Sequence, residues 1–231
     1  MTKAFLKTLR DVFSLNVLLF VLPIGIGSAF VWFLPLWKFE DSLIQGISHL
    51  FTWIPFVGHF AEVDKHDSFW ITLATGHILI SITVSIATAL FGKKVLRNIA
   101  QKRYAGFDHK GGTNPIKALY YARKANCVFL CWLGATFPLL FVPYLGTVLM
   151  VVLWFIQLAR PTTYRVETLL DYDKKILKKY RWKGRLVVLF SALLNFIPIA
   201  NFFTPLFAQI FYLHTVLGGE EGGKEPKPAV V

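Results

Sequence analysis

The chain has 231 residues, of which 55% are hydrophobic and only 16% are charged, and its mean hydropathy is +0.53. A soluble domain carries about 25% charged residues, so this composition excludes an ordinary soluble protein. The formal net charge of +12 is typical of proteins that meet nucleic acid or anionic lipid. The basic residues flank long apolar segments, which favours lipid headgroups, and we expect no nucleic-acid partner.

Four segments without any charged residue run through the chain, at 12–37, 68–92, 125–159 and 186–217. Each is longer than the ~20 residues that an α-helix needs to cross a bilayer. The pattern predicts an all-α integral membrane protein, with residues 1–217 forming one membrane domain. We expect segments 12–37 and 68–92 to be two long transmembrane helices.

The third and fourth apolar segments contain internal prolines that should interrupt them. Pro138 and Pro143 divide the third segment, and Pro198 and Pro205 divide the fourth. The resulting arms of roughly 12 to 16 residues are shorter than a full crossing requires. We therefore predict two hemi-penetrating (re-entrant) helical hairpins, at about 125–159 and 186–217, which enter and leave the membrane on the same side.

One short motif, aromatic–aliphatic–Pro followed two residues later by Gly or Asn, occurs at 53–58, 141–146 and 196–201. Proline ends a helix, and the following Gly or Asn tolerates a left-handed conformation, so we expect the chain to reverse at each copy. A reversal inside a membrane must be enclosed by protein or line a wet cavity. That arrangement is typical of channels and transporters.

The connections between the apolar segments differ in charge. Residues 93–124 and 160–185 are rich in Lys and Arg, whereas residues 38–67 carry more acidic than basic side chains. The positive-inside rule places the basic segments and the N-terminus in the cytoplasm of a multi-pass protein. We expect a bacterial inner membrane, or the endoplasmic reticulum membrane if the chain is eukaryotic.

Shorter elements are predicted in these connections. Leu43, Ile47, Leu50 and Ile54 repeat at helical spacing and indicate an interfacial helix in the outer loop. Residues 165–183 are predicted to form a long helix that reaches into the cytoplasm. The Gly-, Pro- and Glu-rich tail at 218–231 is predicted to be disordered.

We find no enzyme motif, and we expect neither an enzymatic activity nor a cofactor. A cluster of acidic and histidine residues in the outer loop fits no standard metal site, so a solvated acidic loop is favoured over a bound metal; it comprises His59, Glu62, Asp64, His66 and Asp67. Cys127 and Cys131 stand four residues apart without further metal ligands, and we expect them to pack as small hydrophobes.

Two sets of polar residues lie inside the apolar segments. His77, Ser81, Ser85 and Thr88 share one face of the second segment, where they either hydrogen-bond to neighbouring helices or form the wall of a pathway. In the fourth segment, Asn195, Asn201 and Thr204 flank the Pro198 turn. They either cap exposed backbone groups or, with the N–H groups of a helix that begins at mid-membrane, bind an anion.

Residues 116–218 resemble the CysZ-type sulfate permease family, which shares its domain with the eukaryotic etoposide-induced proteins. The resemblance rests on Phe141–Gly146, on Trp154–Pro161 and on the Ile-Pro-x-x-Asn turn within Leu194–Pro205. It implies two long spans, two pairs of hemi-penetrating helices, homo-oligomers and sulfate uptake. The chain has Ser14-Leu15-Asn16 where the permeases have a Gly-Leu-Arg turn whose Arg is implicated in sulfate binding, and Arg10 is the nearest base.

These observations predict a permease or channel for a small inorganic, sulfate-like anion, with anionic lipid and further copies of the chain as partners. The residues expected to contact the substrate are Arg10, His77, Asn195, Asn201 and Thr204. The alternative is a membrane scaffold or assembly factor whose basic cytoplasmic helix, at 165–185, recruits a partner or anionic lipid.

Overall fold

The computed structural model describes residues 1–52, 65–104, 107, 114–142, 144–171 and 174–221, and all regular elements in these ranges are helical. The α-helices are α1 (Thr2–Val12), α2 (Leu15–Lys38), α3 (Glu40–Thr52), α4 (Lys65–Arg103), α5 (Pro115–Thr136), α6 (Leu145–Leu170), α7 (Lys174–Leu193), α8 (Pro198–Asn201) and α9 (Thr204–Glu221). Short 3-10 turns lie at Phe137–Phe141 and Leu194–Phe196. The prediction of an all-α membrane protein is confirmed.

Three helices are long and apolar enough to cross a bilayer: α2, α4 from Ser68 onward, and α6. The first two correspond to the spans predicted at 12–37 and 68–92. Helix α2 exposes Leu19, Phe30 and Leu34 on its outer surface, as a lipid-facing helix should. Helix α4 has 39 residues, or about 58 Å at 1.5 Å per residue, so it extends well beyond the ~30 Å hydrocarbon core.

The third apolar segment forms α5, the first 3-10 turn and α6, and its arms are longer than predicted. Helix α5 has 22 residues and α6 has 26, because each continues from the uncharged segment into the basic sequence beside it. Helix α6 passes through Pro161, which removes only one hydrogen bond of the helical ladder. Cys127 and Cys131 are exposed on α5, so, contrary to the prediction from sequence, they do not pack against other described parts of the protein as small hydrophobes.

The turn between α5 and α6 differs from the conformation predicted for its motif. The left-handed residue is Tyr144, with φ 63°, and not Gly146. A Cβ on residue 146 would collide with the carbonyl oxygen of Leu140, so the glycine is required by close backbone approach. Asn201, in the third copy of the motif, is the last residue of α8 and is not left-handed either. The first copy, at 53–58, lies outside the described residues.

The fourth apolar segment folds back on itself, with α7 packed against α9. Helix α9 is buried on all sides from Thr204 to Leu217, where α1, α4, α6 and α7 surround it. A helix that is apolar all round is suited to this central position. Beside it, Phe202 packs where a Cβ on Gly25 would stand, 2.5 Å from the ring, so only glycine permits this approach of α2.

The predictions for the shorter elements, at 165–183, in the tail and in the outer loop, agree with the structure only in part. The chain between 165 and 183 is not one helix, since α6 ends at Leu170 and Asp171 adopts a left-handed conformation with φ 49° before α7 begins. Residues 218–221 belong to α9 and are not part of a disordered tail. A helix is present where the repeat of Leu43, Ile47 and Leu50 predicted one, as α3, and Ile54 lies outside the described residues.

Candidate functional site

A cavity of about 360 Å³ lies where the fourth apolar segment is interrupted. Its walls come from α2, α4, α6 and the α7–α8 turn, and most of them are apolar or aromatic, including Phe33, Trp70 and Trp154. Two polar side chains, His77 and Asn195, also line it. A cavity of this size with few polar groups has the usual character of a small-molecule site.

Helix α4 brings His77 to the break between α7 and α8. Its Nε2 lies 2.6 Å from the carbonyl oxygen of Asn195, and since a carbonyl only accepts, Nε2 carries the proton and donates. The imidazole ring meets the indole of Trp154 edge-on, with ring centroids 5.9 Å apart. These contacts fix the orientation of the ring at the cavity wall.

Asn201 completes this group from the end of α8. Its Nδ2 donates to the carbonyl oxygen of His77 at 3.2 Å and lies 3.4 Å from His77 Nδ1. Three of the five predicted site residues, His77, Asn195 and Asn201, therefore lie together. Two of them stabilise the break in the fourth segment, because His77 bonds to the backbone carbonyl of Asn195 and Asn201 bonds to the backbone carbonyl of His77.

Several buried polar atoms in this group have no hydrogen-bond partner among the described residues. They are Nδ2 and Oδ1 of Asn195 and Oδ1 of Asn201. Both asparagines are at most 1% exposed. Buried amide atoms are rarely left without a partner, so these positions are suited to bind water or a ligand.

A second polar layer lies deeper between α4, α5 and α6. Ser81 Oγ donates to Gln157 Oε1 at 3.3 Å, and Gln157 Nε2 donates to Asn126 Oδ1 at 2.8 Å. Ser85 and Thr88 are buried one and two turns further along α4. The polar face of α4 therefore meets protein along its length and reaches the cavity only at His77. Gln157 and Asn126 were not among the residues predicted from sequence.

The remaining two predicted site residues do not join the cavity. Thr204 is buried and donates to the carbonyl oxygen of Ala200 at 3.0 Å, as a residue in a helix often does. Arg10 is exposed on α1 and lines neither of the cavities described in this subsection.

The N–H groups that the turn was expected to offer to an anion are already bonded. Those of Asn201, Phe202 and Phe203 donate to carbonyl oxygens three or four residues earlier in the turn. The side chains around the break, and not these backbone donors, are therefore the groups with free hydrogen-bonding capacity.

A buried charged network lies where α1, α4 and α9 meet. Arg103 Nε donates to the two carboxylate oxygens of Asp11 at 2.9 and 3.2 Å, and a further contact joins Arg103 Nη2 to the same carboxylate. His214 Nε2 donates to Asp11 Oδ2 at 2.9 Å, and Tyr104 Oη lies 2.8 Å from His214 Nδ1. Burial raises the pKa of Asp11, but the hydrogen bonds from His214 and Arg103 outweigh it and hold the pKa below its ordinary value.

Sequence reasoning selected Arg10 and missed Asp11 beside it. The signal was present, because Ala4, Thr8, Asp11 and Val12 are the buried residues of α1 and recur at helical spacing. That pattern turns Asp11 toward the protein and Arg10 toward solvent.

Near this network, a cavity of about 650 Å³ opens between the start of α1, α7 and the end of α9. Lys3, Lys7 and Lys183 line it together with His214 and Thr215. No Asp or Glu lines either cavity within the described part of the chain. The three lysines make this second cavity more compatible with an anion than with a cation.

A metal site finds no support among the described residues, where no three His, Cys, Asp or Glu side chains come together. The predicted outer-loop cluster largely lies outside them: His59, Glu62 and Asp64 are not described, and only the backbone of His66 and Asp67 is.

Comparison with known proteins gives a clear result at the level of the family. No curated protein and no solved structure matches the chain significantly. The model of the family described as sulfate transporter CysZ/etoposide-induced protein 2.4 matches residues 4–205, which include α1 to α8, the cavity at His77 and the interrupted fourth segment. Since the match covers most of the chain, the protein belongs to the sulfate transporter CysZ/etoposide-induced protein 2.4 family.

Proposed function

We propose that the protein is a permease or channel for a small inorganic oxyanion, with sulfate as the first candidate. The observation that carries the proposal is the group of His77, Asn195 and Asn201 beside the 360 Å³ cavity. It combines a fixed imidazole with unpartnered buried amide atoms inside a membrane protein of a sulfate transporter family.

The chemistry of this group is better suited to let an oxyanion pass than to bind it tightly. The Nδ2 group of Asn195 has no partner among the described residues and can donate to an oxyanion, whereas the N–H of His77 already donates to the carbonyl oxygen of Asn195. A water-poor environment strengthens such a contact. A neutral site holds the ion less tightly than a fixed cation would. Conduction requires binding that is strong enough to admit an ion and weak enough to release it.

The deeper layer of Ser81, Gln157 and Asn126 extends the polar groups away from the cavity along α6. Asn126 Nδ2 has no partner among the described residues, so this layer also offers a donor. We infer that an anion moves between the two layers while exchanging one set of donors for the next.

Sulfate flux tests the proposal directly. Purified protein in liposomes should pass radiolabelled sulfate faster than empty liposomes, and a twentyfold excess of unlabelled sulfate should compete. If sulfate, thiosulfate and chloride all cross at the rate of empty liposomes, a membrane scaffold or assembly factor becomes the better reading. The scaffold has weaker support at present, because the helix proposed to recruit partners is interrupted at Asp171 and Arg165 within it is buried.

Orientation and partners follow from charge. We infer a bacterial inner-membrane protein with its N-terminus and the Lys- and Arg-rich segments in the cytoplasm. Single cysteines at Gln45 and Lys117, both exposed, test this in a background without Cys127 and Cys131. An impermeant thiol reagent should label position 45 in intact cells and position 117 only after lysis. Labelling at 117 in intact cells would reverse the topology.

The lysine-lined cavity supports anionic lipid as a partner at the cytoplasmic face. Lys3, Lys7 and Lys183 converge there from two helices, and each basic residue near an anionic surface contributes about 1 kcal/mol. A homo-oligomer is the assembly that we propose on the basis of family membership. Mass measurement of the detergent-solubilised protein tests it, and a single-chain mass would contradict it.

A further inference from the structure

Arg165 is buried in α6, and it forms no ion pair with a residue that the structure describes. Its side chain is 1% exposed, which places it among the largest fully buried side chains of the described chain. Its Nε and Nη2 atoms have no hydrogen-bond partner within the described part of the chain. No described residue forms a salt bridge with it, and Glu167, two residues along the helix, projects in a different direction.

Buried guanidinium N–H groups without a partner are unfavourable, because they have lost the hydrogen bonds that water would give them. Proteins rarely keep such a group inside or beside a membrane unless it has a function. Arg160, one and a half turns earlier on the same helix, is exposed, so its charge can be hydrated by water. Arg165 therefore has two buried donors that are suited to bind an anion.

The two unpartnered atoms indicate what kind of anion would fit. Nε and Nη2 lie on the same edge of the planar guanidinium, so their N–H bonds are parallel. Two parallel donors match two oxygens of one oxyanion, as in bidentate binding of carboxylate, phosphate or sulfate. A monatomic ion such as chloride gains little from this fork.

The position of Arg165 connects it to the site described above. Buried residues of α6 include Trp154 at the cavity, Gln157 in the deeper layer, Thr162 and Arg165, so all four lie on the face of the helix that meets protein. Arg165 follows Gln157 by eight residues, or about 12 Å along the helix axis. It stands beyond the deeper layer, on the side away from the cavity.

We propose that Arg165 is the cationic binding residue for a tetrahedral oxyanion. It lies at the cytoplasmic end of a series of polar residues that begins with His77 at the cavity and continues through Gln157 in the deeper layer. The proposal rests on the proposed transport function and adds the one charged residue of that pathway. The same chemistry fits free sulfate and the phosphate of a lipid headgroup, and binding measurements distinguish the two sources.

The test is thermal unfolding of the purified protein in a neutral detergent, with low-millimolar sodium sulfate, matched sodium chloride, or phosphatidylglycerol. Concentrations stay low because sulfate at high concentration stabilises most proteins without specific binding. The variants are Arg165→Met, Arg165→Lys and the matched control Arg160→Met. We expect sulfate to raise the melting temperature of the wild-type and Arg160→Met proteins to the same extent.

Arg165→Met should melt at a higher temperature than wild type without ligand, because the uncompensated charge is gone, and should lose the response to sulfate. A merely structural arginine would instead make this variant less stable. Arg165→Lys keeps the charge without the fork and should bind sulfate about tenfold more weakly. If Arg165→Met does not assemble, the affinity of Arg165→Lys decides, and an unchanged value overturns the proposal.

The comparison of sulfate with phosphatidylglycerol shows whether the site binds a free anion or a lipid headgroup. A response to phosphatidylglycerol alone assigns the site to a lipid headgroup, and a response to neither ligand overturns the proposal. An Arg165→Met protein that responds to sulfate like wild type would also overturn it. Flux is measured in parallel: sulfate binding through Arg165 without flux contradicts the transport function, whereas flux with unchanged sulfate binding in Arg165→Met contradicts only the role of Arg165.

Discussion

Substitution of Asp11 by Asn should loosen the junction of α1, α4 and α9. Asn keeps the shape of the side chain but loses the charge, so the hydrogen bonds from Arg103 and His214 become ordinary ones. A hydrogen bond to a charged group contributes roughly 1.5–3 kcal/mol, against about 1 kcal/mol for a neutral one. If each of the two donor residues, Arg103 and His214, is counted as one such bond, the loss amounts to about 1–4 kcal/mol.

We expect a loss of stability in the middle of this range. The Arg103 side chain is 24% exposed, so water can replace part of its bonding once residue 11 is neutral. A loss of about 2 kcal/mol lowers the melting temperature of a chain of this size by roughly 4–8 °C. The assay is thermal unfolding in detergent, with Asn16→Leu, an exposed position at the start of α2, as a control for nonspecific effects.

The dependence on pH gives an independent check. The pKa of Asp11 in the folded protein lies below its ordinary value of 3.8. The stability that this carboxylate contributes is therefore present above that value and is lost as pH falls through the folded pKa. The difference in melting temperature between wild type and Asp11→Asn should be constant at neutral pH and should become smaller in acid. A variant as stable as wild type at pH 7, or a gap that persists unchanged in acid, would refute the account of this junction.

Two further predictions concern the turns. Asn201→Leu removes the donor to the α4 carbonyl at a cost of about 1–3 kcal/mol, so the protein should assemble but lose most of its sulfate flux. Flux equal to that of Asn98→Leu, a control at an exposed position of α4, would remove Asn201 from the site. Gly146→Ala places a Cβ against the carbonyl oxygen of Leu140 and should strongly destabilise the α5–α6 turn in a melting experiment. Gly134→Ala, which meets no atom within 4 Å, should be tolerated, and equal melting temperatures for the two variants would contradict the steric argument.

The positions of the long helices could be predicted from the sequence, because they follow from the length of the segments that carry no charge. A segment such as 68–92 can avoid water only as a helix in lipid or in a protein core, and α4 contains it. Proline positions likewise located the interruption at Pro198, where α7 ends and α8 begins. The motif did not reveal why its glycine is needed, because the approach of Gly146 to Leu140 depends on the folded turn.

The partners of buried polar groups were harder to predict. His77 and Asn201 are 124 residues apart and meet only because α4 packs beside the α7–α8 break. Arg165 was assigned to a cytoplasmic basic segment by its neighbours in sequence, although its spacing from Gln157 and Trp154 places it on the buried face of α6. Segment charge describes the average surroundings of a residue, whereas helical periodicity describes the direction of each side chain.

The most direct test of the account is a plug in the cavity beside His77. Ala74 lines this cavity, and Ala74→Trp should fill it without adding charge. Ala135→Trp adds the same side chain at an exposed position of α5 and is the matched control. In liposomes with equal amounts of protein, we predict that wild type and Ala135→Trp carry sulfate while Ala74→Trp does not. Sulfate flux through Ala74→Trp at the wild-type rate would contradict the claim that the ion passes through this cavity.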